Sequence, residues 1–175
     1  MIFHKTKLSG VYIVELEKRK DERGFLARWW DRDEFKKYGV DLDMVQGYIS
    51  YSKKKSTLRG FHYIKGPKKE IKIAVVLKGS IFEVAIDLRR DSPTFKKWQG
   101  FKFTSDDYKM LLIPKNFAHA ILTLQDDTEF ITLYSTNYNP KYEKGIKFTD
   151  PQFKFKWPIK IKHVSDKDLS WEEYK

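Results

Sequence analysis

Ile71-Lys72-Ile73-Ala74-Val75-Val76-Leu77-Lys78-Gly79-Ser80-Ile81-Phe82-Glu83-Val84-Ala85-Ile86-Asp87-Leu88 decides the fold class. It holds two β-prone runs, Ile71 to Leu77 and Ile81 to Leu88, parted by the turn residues Lys78-Gly79. Side chains alternate across a strand, so Phe82, Val84 and Ile86 share one face, and Glu83 and Asp87 the other. Similar runs fill the chain in both directions. Val11 to Leu16, Phe25 to Trp30, Val45 to Tyr51 and Leu58 to Tyr63 precede it. Trp98 to Thr104, Met110 to Ile113, Ala118 to Leu124 and Glu129 to Ser135 follow. All are rich in the β-branched and aromatic residues that suit pleated, half-buried surfaces. One helix signal interrupts them, from Asp31 to Gly39, with Asp31 as cap, Glu34 as capping-box partner and Gly39 as stop. Many short strands and one short helix predict an all-β sandwich or barrel in a single domain.

The chain has 175 residues, enough to bury one sizeable core. Nothing in it reads as a repeat, a linker or a low-complexity segment. No apolar run is long enough to cross a bilayer as a helix. The opening Met1-Ile2-Phe3-His4-Lys5 lacks the apolar stretch of a signal peptide. Cysteine is absent, which excludes disulfides, thiolate metal sites and cysteine nucleophiles and fits a reducing cytoplasm. The formal charge of +11 favours an anionic partner. Runs such as Lys53-Lys54-Lys55 and Lys96-Lys97 read more simply as solvated faces. None of the nucleic-acid modules leaves its signature here.

Polar side chains recur inside the strand-like runs: Gln46, Lys72, Asp87, His119, and Arg59 with His62 in Leu58-Arg59-Gly60-Phe61-His62-Tyr63. Charged groups on half-buried strands are costly unless paired or bound to a ligand. Singly, each could face water. As a set they fit the inside of a polar barrel cavity. Histidine moves protons near neutral pH, and a nearby guanidinium holds anions. The four histidines show no metal-ligand spacing, so no metal is expected. Neither a Gly-x-Ser-x-Gly elbow nor a Gly-rich phosphate loop is present. The segment 150–175 carries turn signals at Asp150-Pro151 and Trp157-Pro158, and by pattern alone its Ser165-Asp166-Lys167-Asp168 reads as an exposed tail.

Taken together, these pieces resemble the dTDP-4-dehydrorhamnose 3,5-epimerase family, cupin enzymes that act without a metal. The resemblance rests on Asp21-Glu22-Arg23-Gly24-Phe25, on the hexapeptide around His62, and on Lys72 ahead of Lys78-Gly79. It continues through Phe82 to Arg89, Asp91-Ser92-Pro93-Thr94-Phe95, Ile113-Pro114-Lys115-Asn116-Phe117-Ala118-His119, Asp150-Pro151, Trp157-Pro158 and the Ser165–Asp168 segment. The order and spacing hold from Arg23 to Asp168. The resemblance implies a cupin-type antiparallel jelly-roll barrel with a few short peripheral helices, and a 150–175 segment packed back near the site. It implies an isomerase that inverts C3, C5 or both of a nucleotide-linked 4-keto sugar, needs no cofactor and serves surface polysaccharide synthesis.

By the same resemblance His62 is the base, Asp168 its partner, and Lys72 the cation at the C4 oxygen. Arg23, Phe25, Gln46, Arg59, His119 and Tyr138 hold the nucleotide-diphosphate sugar. A homodimer with strand exchange is also implied, with no nucleic-acid or membrane partner. The family's acid is a tyrosine at a position held here by Thr132. Tyr134 lies two residues on, on the same strand face and roughly 7 Å away, and is the expected substitute. Gly47-Tyr48, Ile64, Glu83, Asn116 and Ala120 also depart from the family pattern. They leave open a single-centre, C3-only epimerase on a GDP- or UDP-linked 4-keto sugar such as a heptose, and the absent tyrosine leaves open a non-catalytic nucleotide-sugar binder.

Overall fold

The structure, a computed structural model, describes residues 1–41, 43–67 and 69–175. In chain order the strands are β1 (Ile2–Lys5), β2 (Tyr12–Glu15), β3 (Lys18–Asp21), β4 (Gly24–Ala27), β5 (Gln46–Ser52), β6 (Thr57–Ile64) and β7 (Lys72–Lys78). β8 (Ser80–Asp87), β9 (Trp98–Thr104), β10 (Lys109–Ile113), β11 (Phe117–Thr123), β12 (Thr128–Tyr134), β13 (Glu143–Gly145) and β14 (His163–Val164) complete them. The helices are α1 (Arg32–Lys36) and α2 (Asp166–Leu169), with a 3₁₀ turn at Ser105–Asp107.

One six-stranded sheet runs β1-β2-β10-β7-β12-β5. A second runs β13-β6-β11-β8-β9, with β14 added beside β6, and β3 and β4 form a separate hairpin. Nearly every pairing is antiparallel; β14 on β6 is parallel. The architecture is an all-β, cupin-type jelly roll with two short helices among the described residues.

β7 and β8 are parted by Gly79 alone, yet they enter different sheets: β7 pairs with β10 and β12, β8 with β11 and β9. Between the sheets lie Val76, Ile81, Ala85, Phe101, Phe103, Leu111, Phe117, Ile121 and Phe130, contributed from both sides. The outer faces are covered too. Val84, Ile86, Ala118 and Leu122 pack under Phe153, Phe155 and Trp157 of the C-terminal segment. Val14, Ile73, Met110 and Leu112 pack under Phe35 of α1. Both sheets therefore need apolar residues on two faces, which explains near-continuous runs such as Met110–Ile113. The face of β8 opposite Phe82 is the interior one, so Glu83 and Asp87 are fully buried rather than wet.

α1 starts as its sequence predicts, with Asp31 accepting the backbone N–H of Glu34 at 3.0 Å. Glu34 itself turns to the N-terminal ammonium, 2.8 Å away, instead of closing a capping box. The run expected to continue to Trp30 leaves the ladder after Ala27.

Candidate active site

Along β7 and β12 the inward row changes character. Val76 and Phe130 belong to the core, whereas Lys72 and Tyr134 open onto a cavity of about 310 Å³. These strands are in register, Tyr134 opposite Lys72 and Thr132 opposite Ala74. β5 continues the rows, Gln46 beside Tyr134 and Tyr48 beside Thr132. The second sheet supplies the facing wall, where His62 of β6 and His119 of β11 are paired across the ladder. Both line the same cavity.

His62 is anchored from behind. Its Nε2 lies 2.6 Å from Oδ1 of Asp168. Ser165 caps α2 by accepting the Asp168 N–H at 3.1 Å, and that single turn fixes the carboxylate. Asp168 Oδ2 accepts the N–H of Gly60 at 3.1 Å, and Oδ1 also accepts Trp171 Nε1–H at 3.2 Å. Burial alone would raise this carboxyl. Hydrogen bonds from His62, Gly60 and Trp171, with the His62 charge, outweigh it and hold the pKa below the usual value. With Nε2 committed to Asp168, Nδ1 is the imidazole nitrogen left for proton transfer. The Ser165–Asp168 segment is thus packed against the site, not extended.

Two glycines make this possible. Gly60 has φ +113°, and a Cβ there would sit 2.6 Å from the His119 carbonyl oxygen. Gly145, opposite His62 on β13, leaves the space that the Trp171 ring fills; a Cβ would lie 2.2 Å from it.

Lys72 is buried, with Nζ 2.9 Å from Glu70 Oε1 and 3.3 Å from the His62 carbonyl oxygen that accepts from it. Tyr134 presents its ring 5.9 Å from that ammonium. Burial, with the Glu70 charge, pushes the Tyr134 phenol well above its ordinary range. Behind the opposite wall, His119 Nδ1 and Glu83 Oε1 are 3.0 Å apart. Burial pushes Glu83 up to about 8 against the pull of Lys72. Burial, with Lys72 and His62 nearby, pushes His119 well below its ordinary value. The pair is therefore a neutral acid and a neutral imidazole, with Glu83 donating to Nδ1. Glu83 Oε2 has no hydrogen-bond partner among the described residues, which a neutral carboxyl tolerates better than a carboxylate would.

At the mouth, Tyr138 donates its hydroxyl to Glu143 at 2.8 Å and its backbone N–H to Gln46 Oε1 at 2.6 Å. Lys167 pairs with the same Glu143 at 2.6 Å. Of the residues expected from sequence, His62, Lys72, Gln46, His119, Tyr134 and Tyr138 share the cavity, with Asp168 behind His62. Arg23 and Phe25 stand instead on the β3–β4 hairpin, where Arg23 pairs with Asp21 and Phe25 packs on Tyr108. Arg59 donates to the Tyr51 carbonyl at 2.9 Å and to Ser52 at 3.3 Å, away from the cavity. Sequence reasoning did not select Tyr48, Glu70, Glu143 or Lys167. Two-residue parity with Gln46 could have found Tyr48, and with Lys72 Glu70; the other two come from segments without strand patterning.

A histidine–aspartate pair and a buried ammonium at one polar cavity of a cupin-type jelly roll bring together a group able to accept a proton and a charge able to steady an anion. A model of the dTDP-4-dehydrorhamnose 3,5-epimerase family matches residues 5–175. The enzyme of that name from Shigella flexneri is 35% identical over 173 residues, covering 97% of this chain and 94% of the relative. The structure of the Bacillus anthracis enzyme with TDP and PPi bound superposes with a TM-score of 0.93 at 32% identity, covering 99% of both chains. That of the dTDP-6-deoxy-D-glucose-3,5-epimerase from Legionella pneumophila in complex with dTDP-4-keto-L-rhamnose gives 0.91 at 31% identity, covering 98% of this chain and 92% of the other. The chain belongs to the dTDP-4-dehydrorhamnose 3,5-epimerase family and is an isomerase.

Proposed function

We propose that this epimerase inverts carbons flanking the C4 ketone of a dTDP-linked 4-keto-6-deoxyhexose, with His62 as base and Lys72 as the cation at the C4 oxygen. One observation carries the reading: His62 held at 2.6 Å by Asp168, with the Lys72 ammonium 3.3 Å from the His62 carbonyl, on one cavity. A hydrogen at C3 or C5 lies next to the carbonyl, so its removal gives an enolate. His62 Nδ1 takes the proton, and Asp168 stabilises the imidazolium that forms. The negative charge moves to the C4 oxygen, where a fixed buried ammonium lowers the barrier most. Glu70 keeps Lys72 oriented. Inversion needs a proton from the face opposite His62, and the β5–β12 wall carries two phenols there, Tyr134 and Tyr48. Gln46, His119 and Tyr138 hold the nucleotide sugar.

The working unit is a homodimer. Supporting it, the hairpin bearing Arg23 and Phe25 is exposed, with Leu26 at 72%. β5 is an edge strand whose outward residues Ile49 and Tyr51 are also exposed. A partner's hairpin laid along that edge would bring Arg23 and Phe25 to the neighbouring cavity. Nucleotide-linked sugars as substrates fit a cytoplasmic setting and supply to surface polysaccharides.

NMR in D₂O with dTDP-, GDP- and UDP-linked 4-keto-6-deoxyhexoses tests the reading. Deuterium should enter at C3, C5 or both, fastest with dTDP. Binding without exchange for all three would leave a nucleotide-sugar binder instead.

A further inference from the structure

The two phenols of the cavity wall are not equivalent, and their hydrogen bonds tell them apart. Tyr48 sits on the inward row of β5, in register with Thr132, which is in turn in register with Ala74. Its cross-strand row is therefore made of small side chains, and the ring can lean into the cavity. Tyr134 packs edge-on against it, with centroids 5.6 Å apart and planes at 75°. His62 enters from the other sheet, so Tyr48 and the base approach the cavity from opposite walls.

The orientation of the Gln46 amide decides where the Tyr48 proton points. Gln46 Oε1 accepts the backbone N–H of Tyr138 at 2.6 Å. A backbone N–H can only donate, so this end of the amide is the oxygen and the other is the NH₂. That NH₂ donates to the Tyr48 hydroxyl oxygen. Tyr48 thus accepts through its oxygen, and its own O–H is free to be given away. The same amide would stabilise the phenolate left behind. Tyr134 is buried near the Glu70 carboxylate, and burial together with that charge outweighs a hydrogen bond with Thr132 that favours the phenolate.

We propose that Tyr48 is the proton donor that completes inversion, delivering its hydroxyl proton to the enolate carbon on the face opposite His62. This rests on the epimerase reading above. The C–H bond beside the ketone breaks, its proton goes to His62 Nδ1, and the electron pair becomes the enolate held by Lys72. The Tyr48 O–H bond then breaks, and a new C–H bond forms on the other face. Solvent returns a proton to the phenolate and takes one from His62. Tyr134 positions the Tyr48 ring and does not donate.

The test follows exchange and inversion separately, by NMR in D₂O with dTDP-, GDP- and UDP-linked 4-keto-6-deoxyhexoses. Tyr48→Phe keeps the ring, and with it the contact to Tyr134. In this variant His62 still removes the proton and returns a deuteron to the same face. Exchange should stay within about threefold of wild type, while inversion falls by about 10²-fold or more. Tyr134→Phe should still invert, within about tenfold. Wild-type inversion in Tyr48→Phe, or its loss in Tyr134→Phe alone, overturns the assignment. So does equal loss of exchange and inversion in a Tyr48→Phe protein that melts like wild type. Should Tyr48→Phe not fold, Gln46→Leu probes the same donor. Because Gln46 also holds the sugar, the readout is the ratio of inversion to exchange, which should fall about tenfold; an unchanged ratio overturns the proposal. No exchange in the wild type with any of the three sugars removes the epimerase reading itself, a result distinct from every outcome above.

Discussion

Replacing Glu83 by glutamine removes a titration from the centre of the barrel while keeping a hydrogen-bond donor for His119. Glu83 is fully buried, and its pKa is pushed from the ordinary 4.5 up to about 8. A carboxyl raised in the folded state binds a proton that the unfolded chain has already released. Between about pH 4.5 and pH 8 the native protein carries one proton more at this position. Folding stability from this group therefore falls as pH rises through that window, by about 1.4 kcal/mol per pH unit. From 4.5 to about 8 is about 3.5 pH units, so the total is about 5 kcal/mol. That is a large part of the 5–15 kcal/mol typical of a domain.

His119, Lys72 and the Tyr134 phenol are titratable groups close to Glu83, and Tyr134 stays protonated across this window. His119 stays neutral in both proteins and Lys72 stays in place, so the difference between Glu83→Gln and wild type isolates the carboxyl. Urea denaturation at half-unit steps from pH 4 to pH 9 measures it. The two stabilities should coincide near pH 4 and diverge as pH rises. Glu83→Gln should end more stable by about 5 kcal/mol above pH 8, with unchanged m-values. Parallel curves across the window would refute the reasoning, because they would mean that the folded barrel holds no extra proton here: Glu83 ionised, its charge met by Lys72, beside a neutral His119.

The other expectations concern the base and its support. His62→Ala should abolish deuterium entry at both C3 and C5, and near wild-type entry would remove His62 from the role. Asp168→Asn should lower turnover by about 10²–10⁴-fold, the cost of a mis-set tautomer. Because the Asp168 carboxyl is depressed when folded, its stabilisation is present above pH 3.8 and lost as pH falls through the lower folded value. Asp168→Asn should flatten that acid limb, and an unchanged limb in pH-dependent melts would count against the hydrogen-bonding account. Gly60→Ala should destabilise by about 3 kcal/mol, since the new Cβ meets the His119 carbonyl at φ +113°. A melt within 1 °C of wild type would show that the backbone around Gly60 relaxes. Mixed in equal amounts and refolded together, Arg23→Ala and His62→Ala chains should regain about a quarter of wild-type turnover if Arg23 serves the partner's cavity. No recovery would confine Arg23 to its own hairpin.

Strand positions were legible wherever apolar or β-branched residues cluster, which is why β5 to β12 fall close to the expected runs. The elements that escaped carry no such signal. β3 is Lys-Arg-Lys-Asp, with its last three residues exposed and its order owed to the ladder with β4. β13 and β14 are three and two residues long, held by β6 rather than by their own propensity. Sheet assignment was less legible still, because Gly79, at φ +84°, sends β7 and β8 into different sheets from an ordinary-looking turn.

The site divides along the same line. His62, Lys72 and His119 announce themselves as polar residues inside strand-like runs, where an unpaired charge would be too costly to keep. Asp168 does not, since its segment lacks periodicity and its contact with Gly60 spans 108 positions of chain. The acid side depends on register alone. Thr132 looks like a missing phenol when β12 is read by itself. Read across the ladder, the residue opposite Thr132 is Tyr48, and the two positions together hold one hydroxylated ring beside one small side chain. A change that looks like loss on one strand can thus be compensated on its neighbour, because the cavity senses which groups reach it and not which strand they come from. For the same reason Tyr48→Phe, rather than any substitution at Thr132, is the change expected to separate exchange from inversion.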